Sequence, residues 1–479
     1  MPASRVVRHF SVAERRDAGR KALERVPLSS HKGWMVDPSR ADPVSLLEAQ
    51  NVTRDADLVP VRHGRMSASP FTFYRGAARI MAEDLKDTPT AGFEVQLCGD
   101  AHLSNFGLYA SPERSLVFDL NDFDETLPGP FEYDVKRMAA SFTIAAQNNG
   151  FSKEDRRAIT RTSVRAYREA MRNFAQMGTL ETWYARISED DLRAGVDAVV
   201  RKARKVESSK TIDKAKKRAA KLLLKAHSSD SLQALSKLAE VVDGRYRIVS
   251  NPPVVVPLRE VGSTYGVSPD EFEGIIHDQF RAYRTTLQYD RRHLLQRYEF
   301  VDAARKVVGV GSVGTRAFII LLQGRDDQDP LFLQLKEATS SVLESHLKKS
   351  RFTQPGERVV QGQRMMQASS DIFLGWTKGA QEGRYLYWRQ LRDMKGSFVV
   401  EDALPVGLDF YAGLCGWTLA RAHARSGDAV AIAEYLGDTE AFDKAIGDFS
   451  ERYAEQNGID FNHFEAAIRF GRIQAIVGV

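Results

Sequence analysis

The stretch "VVGVGSVGTRAFIILLQGRDDQDPLFLQLKEA", residues 307–338, constrains the fold of this chain more than any other. Gly309, Gly311 and Gly314 spell G-x-G-x-x-G, with Ser312 between the second and third glycines. Two kinds of phosphate-binding loop use that spacing. In one, a helix follows the third glycine at once and points its N-terminus at a dinucleotide pyrophosphate. In the other, a strand follows and the loop folds over phosphates as a hairpin. Here "RAFIILLQG" is apolar and rich in isoleucine, meets a turn at "GRDDQDP", and is followed by a second strand-like run, "LFLQLKEA". The order is strand, glycine loop, strand, turn, strand. It predicts an antiparallel hairpin with Lys336 on the third strand, where an ammonium can reach phosphates held under the loop. A dinucleotide oxidoreductase would account for the glycines and for nothing else.

A second pair of motifs supplies the complementary chemistry. "CGDAHLSNFG", residues 98–107, crowds Asp100, His102 and Asn105 into one turn-like stretch, and "SLVFDLNDFDE", residues 115–125, ends a predicted strand in acids. Phosphoryl transfer needs an aspartate to orient and deprotonate the attacking hydroxyl, an asparagine a few residues on to hold a metal, and another aspartate on a nearby strand end to hold metal against the phosphates. Asp100 is the candidate base, and Asn105 and Asp122 are the candidate metal ligands. His102 is expected to hydrogen-bond within the loop. A metallophosphoesterase could use "GDAH" as a metal pair, but the G-N-H-[DE] run it would need downstream is missing.

Composition sets the broad class. The chain has 479 residues, 43% hydrophobic and 27% charged, enough for two or three cores of a globular protein. Its two cysteines, Cys98 and Cys415, cannot build a disulfide framework and read as buried small hydrophobes. The charged N-terminus and the lack of any run of about 18 apolar residues point to a cytoplasmic protein without membrane contact. A net charge of +5 is mild for this length. The basic stretch "RKARKVESSKTIDKAKKRAAKLLLKAH", residues 201–227, reads first as a solvated helical face, though it leaves nucleic acid open as a partner. Elsewhere, Ser69-Pro70 opens a predicted helix with Phe73, Ala77, Ile80 and Met81 on one stripe. Residues 131–239 read as mostly helical, and "SNPPVVVPL" as extended, before a further helix near "IIHDQFRAYRTTLQYDRRHLLQRY".

"GDAHLSNFG…VFDLNDFDETLPGPFEYDVKRMAAS" resembles the catalytic region of aminoglycoside-phosphotransferase-like kinases. There a G-D-x-H-x-x-N loop is followed by an acidic strand end and a G-D-P-x-x-D-L-A segment. The spacing from Asp122 to Asp134 fits that pattern, so the resemblance assigns the metal aspartate to Asp122 rather than Asp119. It makes Asp134 the acid bracing the catalytic loop and Asp124 a further metal or water contact. Most of the chain, through "RMSASPFTFYRG", "VVGVGSVGT", "LQLKEA", "ERVVQGQRMMQ", "YWRQLRDMKGS" and "LARAHARSGD", is similar to the bacterial domain-of-unknown-function 2252 family.

In such kinases the glycine loop and its lysine precede the catalytic loop, whereas here Asp100 precedes Gly309. A circular permutation reconciles the two orders, since domain termini often lie close in space. "LCGWTLARAHARSGD" resembles the helix that runs into the catalytic loop in those kinases, which would set His423 beside that loop. The expected fold is therefore α+β, a two-lobed protein-kinase-like fold, circularly permuted, with helical additions. Residues 1–90 would be an N-terminal extension on the large lobe, 91–300 the large lobe, 301–400 the small lobe, and 401–479 helices returning to the large lobe. Glu357, favoured over Glu344, would pair with Lys336, and "YLYWRQLRD" would lead into the hinge that holds adenine. The implied function is an ATP- and magnesium-dependent phosphotransferase with an unidentified acceptor. An inactive nucleotide-binding module and nucleotidyl transfer are the alternatives.

Overall fold

The run "AFIILLQ" shows no polar alternation because both faces of the strand it forms, Ala317–Gln323, are covered. Phe318, Ile320 and Leu322 join Leu333, Leu335 and Trp388 in a cluster closed by Phe272, Ile276 and Tyr283 of the helix Pro269–Thr285. Ile319, Leu321 and Phe332 face the other way, against Leu235 and Leu238 of the helix Ser231–Leu238 and Ile248 of a small hairpin. The computed structural model from which these contacts are read describes residues 9–203, 209–266, 268–391 and 394–479.

The strand belongs to a six-stranded antiparallel sheet, in the order Gly375–Lys378, Tyr385–Gln390, Pro330–Glu337, Ala317–Gln323, Glu299–Lys306, Val255–Pro257. Register sets Lys336 between Ala317 on one side and Tyr387 on the other. Alternate residues share a face, so Lys336 lies with Gln334 and Phe332, away from Leu333 and Leu335. The sheet's surroundings begin earlier than the boundary at residue 300 expected from sequence. A sheet apolar on both faces needs two covering layers, and residues 231–295 supply both, with Val255–Pro257 as the edge strand.

A helical body carries the other large core. The helices Phe131–Asn148, Lys153–Phe174, Pro405–Ala424 and Ala441–Arg469 pack around Met138, Phe142, Tyr167, Leu419 and Phe449. Between body and sheet run two short antiparallel pairs, Glu94–Leu97 with Leu127–Pro130 and Phe106–Ala110 with Leu116–Leu120. Loops 98–105 and 121–126 are thus strung between paired strands, which fixes both ends of each.

The N-terminal region is helical and joins both parts. Val12–Arg25 lies on Ala429–Leu436, and the turn Leu28–Lys32 lies on Ala441–Arg469. Ser69 caps the helix Pro70–Gly76 with Pro70 in its first turn, as expected from sequence. The predicted single helix breaks at Ala77 and restarts as Ala78–Leu85, while Phe73, Ala77, Ile80 and Met81 are all buried. Cys98 and Cys415 are buried and unpaired. Of the basic stretch, residues 204–208 lie outside the described residues. In the helix Ser209–His227, Lys214, Lys217, Lys221 and Lys225 are exposed while Leu223 and Ala226 face the core. Among the described residues no helix is long and apolar enough to cross a membrane.

Candidate functional site

Where the strand Glu94–Leu97 ends, the backbone N–H groups of Cys98 and Gly99 donate to the two oxygens of Asp134 at 2.7 and 3.0 Å. Asp134 sits in the first turn of Phe131–Asn148. His423, near the end of Pro405–Ala424, brings Nε2 to 3.2 Å from Asp134 Oδ2, and its Nδ1 is 2.9 Å from the Tyr167 hydroxyl. Just beyond that helix, Ser426 Oγ accepts from Gln96 N at 2.9 Å. The end of one helix, the start of another and the chain entering the loop are therefore tied at one point. Gly99 makes the turn possible: its φ is +84°, and a Cβ there would lie 2.2 Å from the Glu125 carbonyl oxygen.

Beyond this anchor, Arg137 Nε donates to Asp100 Oδ1 at 2.8 Å, while Arg137 Nη2 donates to the Tyr74 carbonyl at 2.7 Å. Asn105 Nδ2 donates to the Asp100 carbonyl at 2.7 Å, so its amide oxygen is the atom left to accept. Burial raises the Asp100 carboxyl above the usual range, with Arg137 opposing. A carboxylate of raised basicity suits a proton acceptor. His102 hydrogen-bonds within the loop through its main chain, from His102 N to the Asp100 carbonyl and from Asn105 N to the His102 carbonyl, each 2.8 Å. The ring stays 3.8 Å from Asp100 Oδ2 and is held neutral by burial and by the charges of Arg75 and Arg137.

In the loop 121–126, Asp122 Oδ1 accepts one long bond, 3.3 Å, from Asp124 N. Burial and the neighbouring Asp124 push its carboxyl up, Lys336 pulling the other way. Asp124 takes Lys336 Nζ and, at 3.4 Å, Ser312 Oγ on Oδ2, and the Tyr387 hydroxyl at 2.8 Å on Oδ1. Burial alone would raise Asp124, but the Lys336 ammonium, the Tyr387 hydroxyl and Arg389 together outweigh it and leave the carboxyl below its ordinary value. Burial likewise opposes the charge on Lys336, and Asp122 and Asp124 more than restore it.

The partner of Lys336 is thus Asp124, not Glu357. The helix Pro355–Met366 turns the next residue inward: Arg358 donates to the carbonyls of Thr126 at 2.6 Å, Asp124 at 2.7 Å and Thr339 at 2.8 Å. Glu357 stays half-buried in the first turn, where a carboxylate favours the helix N-terminus. Glu344 lines the cleft but lies beside Arg358. Asp119 is a buried structural acid, bonded to Arg421 and to the N–H groups of Leu120 and Ala368, consistent with its rejection as a metal ligand.

The glycine loop is held by the N-terminal region. Gly309 and Gly314 have φ of +67° and +87°. The Gly314 carbonyl accepts from Asp55 N at 2.8 Å, the Gly309 carbonyl from Arg65 at 2.6 Å, and the Val313 carbonyl from Arg54 at 2.5 Å. Loop and acids face a cleft of about 730 Å³ lined by Asp100, His102, Asn105, Asp122, Asp124, Gly309, Gly311 and Ser312. Lys336, only 2% exposed, backs it behind Asp124.

The charged lining residues that went unread in the sequence include Arg54, Arg75, Arg79, Glu125, Glu337 and Lys349. Glu125 was visible as the last acid of "DFDE". Its carboxyl is pushed up to about 7 by burial although it accepts from Val342 N at 2.7 Å. The arginines carry no local signal, because only the packing of the N-terminal helices brings them to the cleft. Among the described residues no group of three or more His, Cys, Asp or Glu side chains is set to hold a metal ion. Asp122, Asp124 and Asn105 all line the cleft, and oxygen donors of this kind would suit a hard cation.

Fold and site define a mixed α/β protein in which an antiparallel sheet and a helical body meet at a cleft lined with carboxylates. The chain belongs to the domain-of-unknown-function 2252 family, described as "Uncharacterized protein conserved in bacteria", whose model matches residues 54–467. No curated protein and no solved structure matches it.

Proposed function

We propose that this protein is an ATP- and magnesium-dependent phosphotransferase of the protein-kinase-like class, with its chain circularly permuted. The observation that carries the reading is the ion pair of Lys336 with Asp124, 212 positions apart, at a cleft that also holds Asp100, Asn105 and the glycine loop. The order of the sheet elements supports it: strand, glycine loop, strand, lysine strand, helix, and two further strands. The permutation is supported by His423 and Ser426, which join the end of Pro405–Ala424 to the chain entering Cys98 through Asp134 and Gln96.

In this reading Lys336 and the loop from Gly309 to Gly314, with Ser312, hold the nucleotide phosphates. Asn105, Asp122 and Asp124 hold magnesium, which when bound neutralises phosphate charge. Asp100, fixed by Arg137 and raised by burial, orients the acceptor hydroxyl and takes its proton. The test is calorimetric titration of ATP with magnesium, then the mass of any product. Lys336→Ala should weaken ATP binding about tenfold or more, as expected for losing a charge-assisted contact. Asp100→Asn should keep ATP affinity and lower turnover by roughly 10²–10⁴-fold. Unchanged affinity in Lys336→Ala removes the lysine from the site, and a product heavier by a nucleotide instead of a phosphate changes the reaction assigned.

A further inference from the structure

Arg75 is the half-buried cation of this cleft whose side chain, among the described residues, has no hydrogen bond or ion pair; Lys349, which also lines the cleft without a partner, is exposed. Arg137 is spent on Asp100 and Tyr74, Lys336 on Asp124, Arg54 on the Val313 carbonyl, and Arg79 on Ser345 Oγ at 2.9 Å. Arg75 lines the same cleft, and its Nε is buried without a hydrogen-bond partner. Among the described residues its side chain makes no ion pair. A half-buried guanidinium left unpaired is costly, and its planar fork of donors matches the two oxygens of a phosphate or carboxylate.

Position narrows the ligand. A Cβ on Gly311 would lie 3.1 Å from the Arg75 carbonyl, so the glycine loop rests on this residue's backbone. On the other side, Arg75 shares the cleft wall with Asp100 and His102 and its charge acts on both, with Glu401 a further acid within its reach. Arg75 therefore stands where the glycine loop meets the Asp100 loop. We infer that Arg75, on the wall formed by the helix Pro70–Gly76, is the centre of an oxyanion site that holds a phosphate or carboxylate group beside Asp100. Its place in the reaction rests on the phosphotransferase reading. The anion is then either the terminal phosphate of the nucleotide or an acidic group on the acceptor.

The experiment titrates inorganic phosphate calorimetrically into the free protein, the protein saturated with ADP and magnesium, and the protein saturated with a β,γ-imido ATP analogue. Phosphate should bind saturably to the first two. Arg75→Gln should weaken that binding about tenfold or more, with ADP affinity and melting temperature unchanged. If Arg75→Gln melts early, Arg75→Lys is read in its place, and should bind phosphate at least about threefold more weakly for want of the fork. Exclusion of phosphate by the imido analogue identifies the anion as the terminal phosphate, whereas continued binding assigns it to the acceptor. Phosphate affinity equal in wild type and variant, or no saturable binding, overturns the site. Arg75-dependent phosphate binding in a protein that binds no ADP keeps the site and overturns the phosphotransferase reading. ADP binding with Arg75-independent phosphate binding does the reverse.

Discussion

The loop 121–126 holds half-buried aspartates and the first turn of Phe131–Asn148 a fully buried one, and the two treat their acids in opposite ways. Asp134 is 1% exposed and has both oxygens filled, by the N–H groups of Cys98 and Gly99 and by His423. Asp122 accepts one 3.3 Å bond, stands next to a second carboxylate and is pushed up by burial. The lesson concerns unsatisfied lone pairs. Asp134, its oxygens filled by backbone N–H groups and a buried histidine, belongs to the fold, and its loss leaves those donors stranded. An acid kept under-satisfied on a cleft costs the unliganded fold something and is held for a ligand.

The comparison breaks first, and hardest, at Asp134. Asp134→Ala strands two buried N–H groups and a histidine, and should cost about 3–5 kcal/mol in urea unfolding, the range for breaking a buried charged network. An equal loss in Asp122→Asn would erase the distinction between the two acids. The turn between them gives the next effect. Gly99→Ala meets both a left-handed φ and the Glu125 carbonyl, and should cost roughly 1–3 kcal/mol while moving Asp100. Wild-type stability in that variant would show that the loop tolerates another path.

Acid separates the helical body from the cleft. His31, with Nε2 2.7 Å from the Tyr435 hydroxyl, has its pKa lowered to about 3 by burial and by Lys136. The unfolded chain takes up this proton near pH 6.5 and the folded one does not, so the stability contribution is whole above that pH. It should fall by about 1.4 kcal/mol per pH unit as pH drops from 6.5 towards 3. Melting curves of His31→Gln between pH 7 and 4 should be flatter than wild type by that slope, and parallel curves would take His31 out of the acid response. The smallest effect is expected at the cleft itself. Asp122→Asn should change the stability of the unliganded protein by no more than about 1 kcal/mol, because the bond lost is a single long one and the charge removed stands beside a second carboxylate. On the proposed phosphotransferase reading, metal-dependent turnover should nonetheless collapse in this variant.

What the sequence determined by itself is local. The glycine spacing with its flanking apolar runs specified a hairpin, and strand parity put Lys336 on the face opposite Leu333 and Leu335. Ser69-Pro70 specified a helix start, and the short spacings within "GDAHLSN" and "NDFDE" made Asp100, Asn105, Asp122 and Asp124 neighbours within their own loops. Tertiary structure decided which of these distant pieces met. Lys336 found Asp124 across 212 positions, while the helix expected to supply Glu357 turned Arg358 inward to clamp the 124–126 backbone. The cover of the sheet by residues 231–295 and the arrival of Arg54, Arg75 and Arg79 at the cleft were also settled there. The reason is physical. Periodicity, capping and turn chemistry act over a few residues and leave a signature in the chain, whereas the partner of a buried charge is chosen by which surfaces pack together, and no short stretch of sequence records that choice.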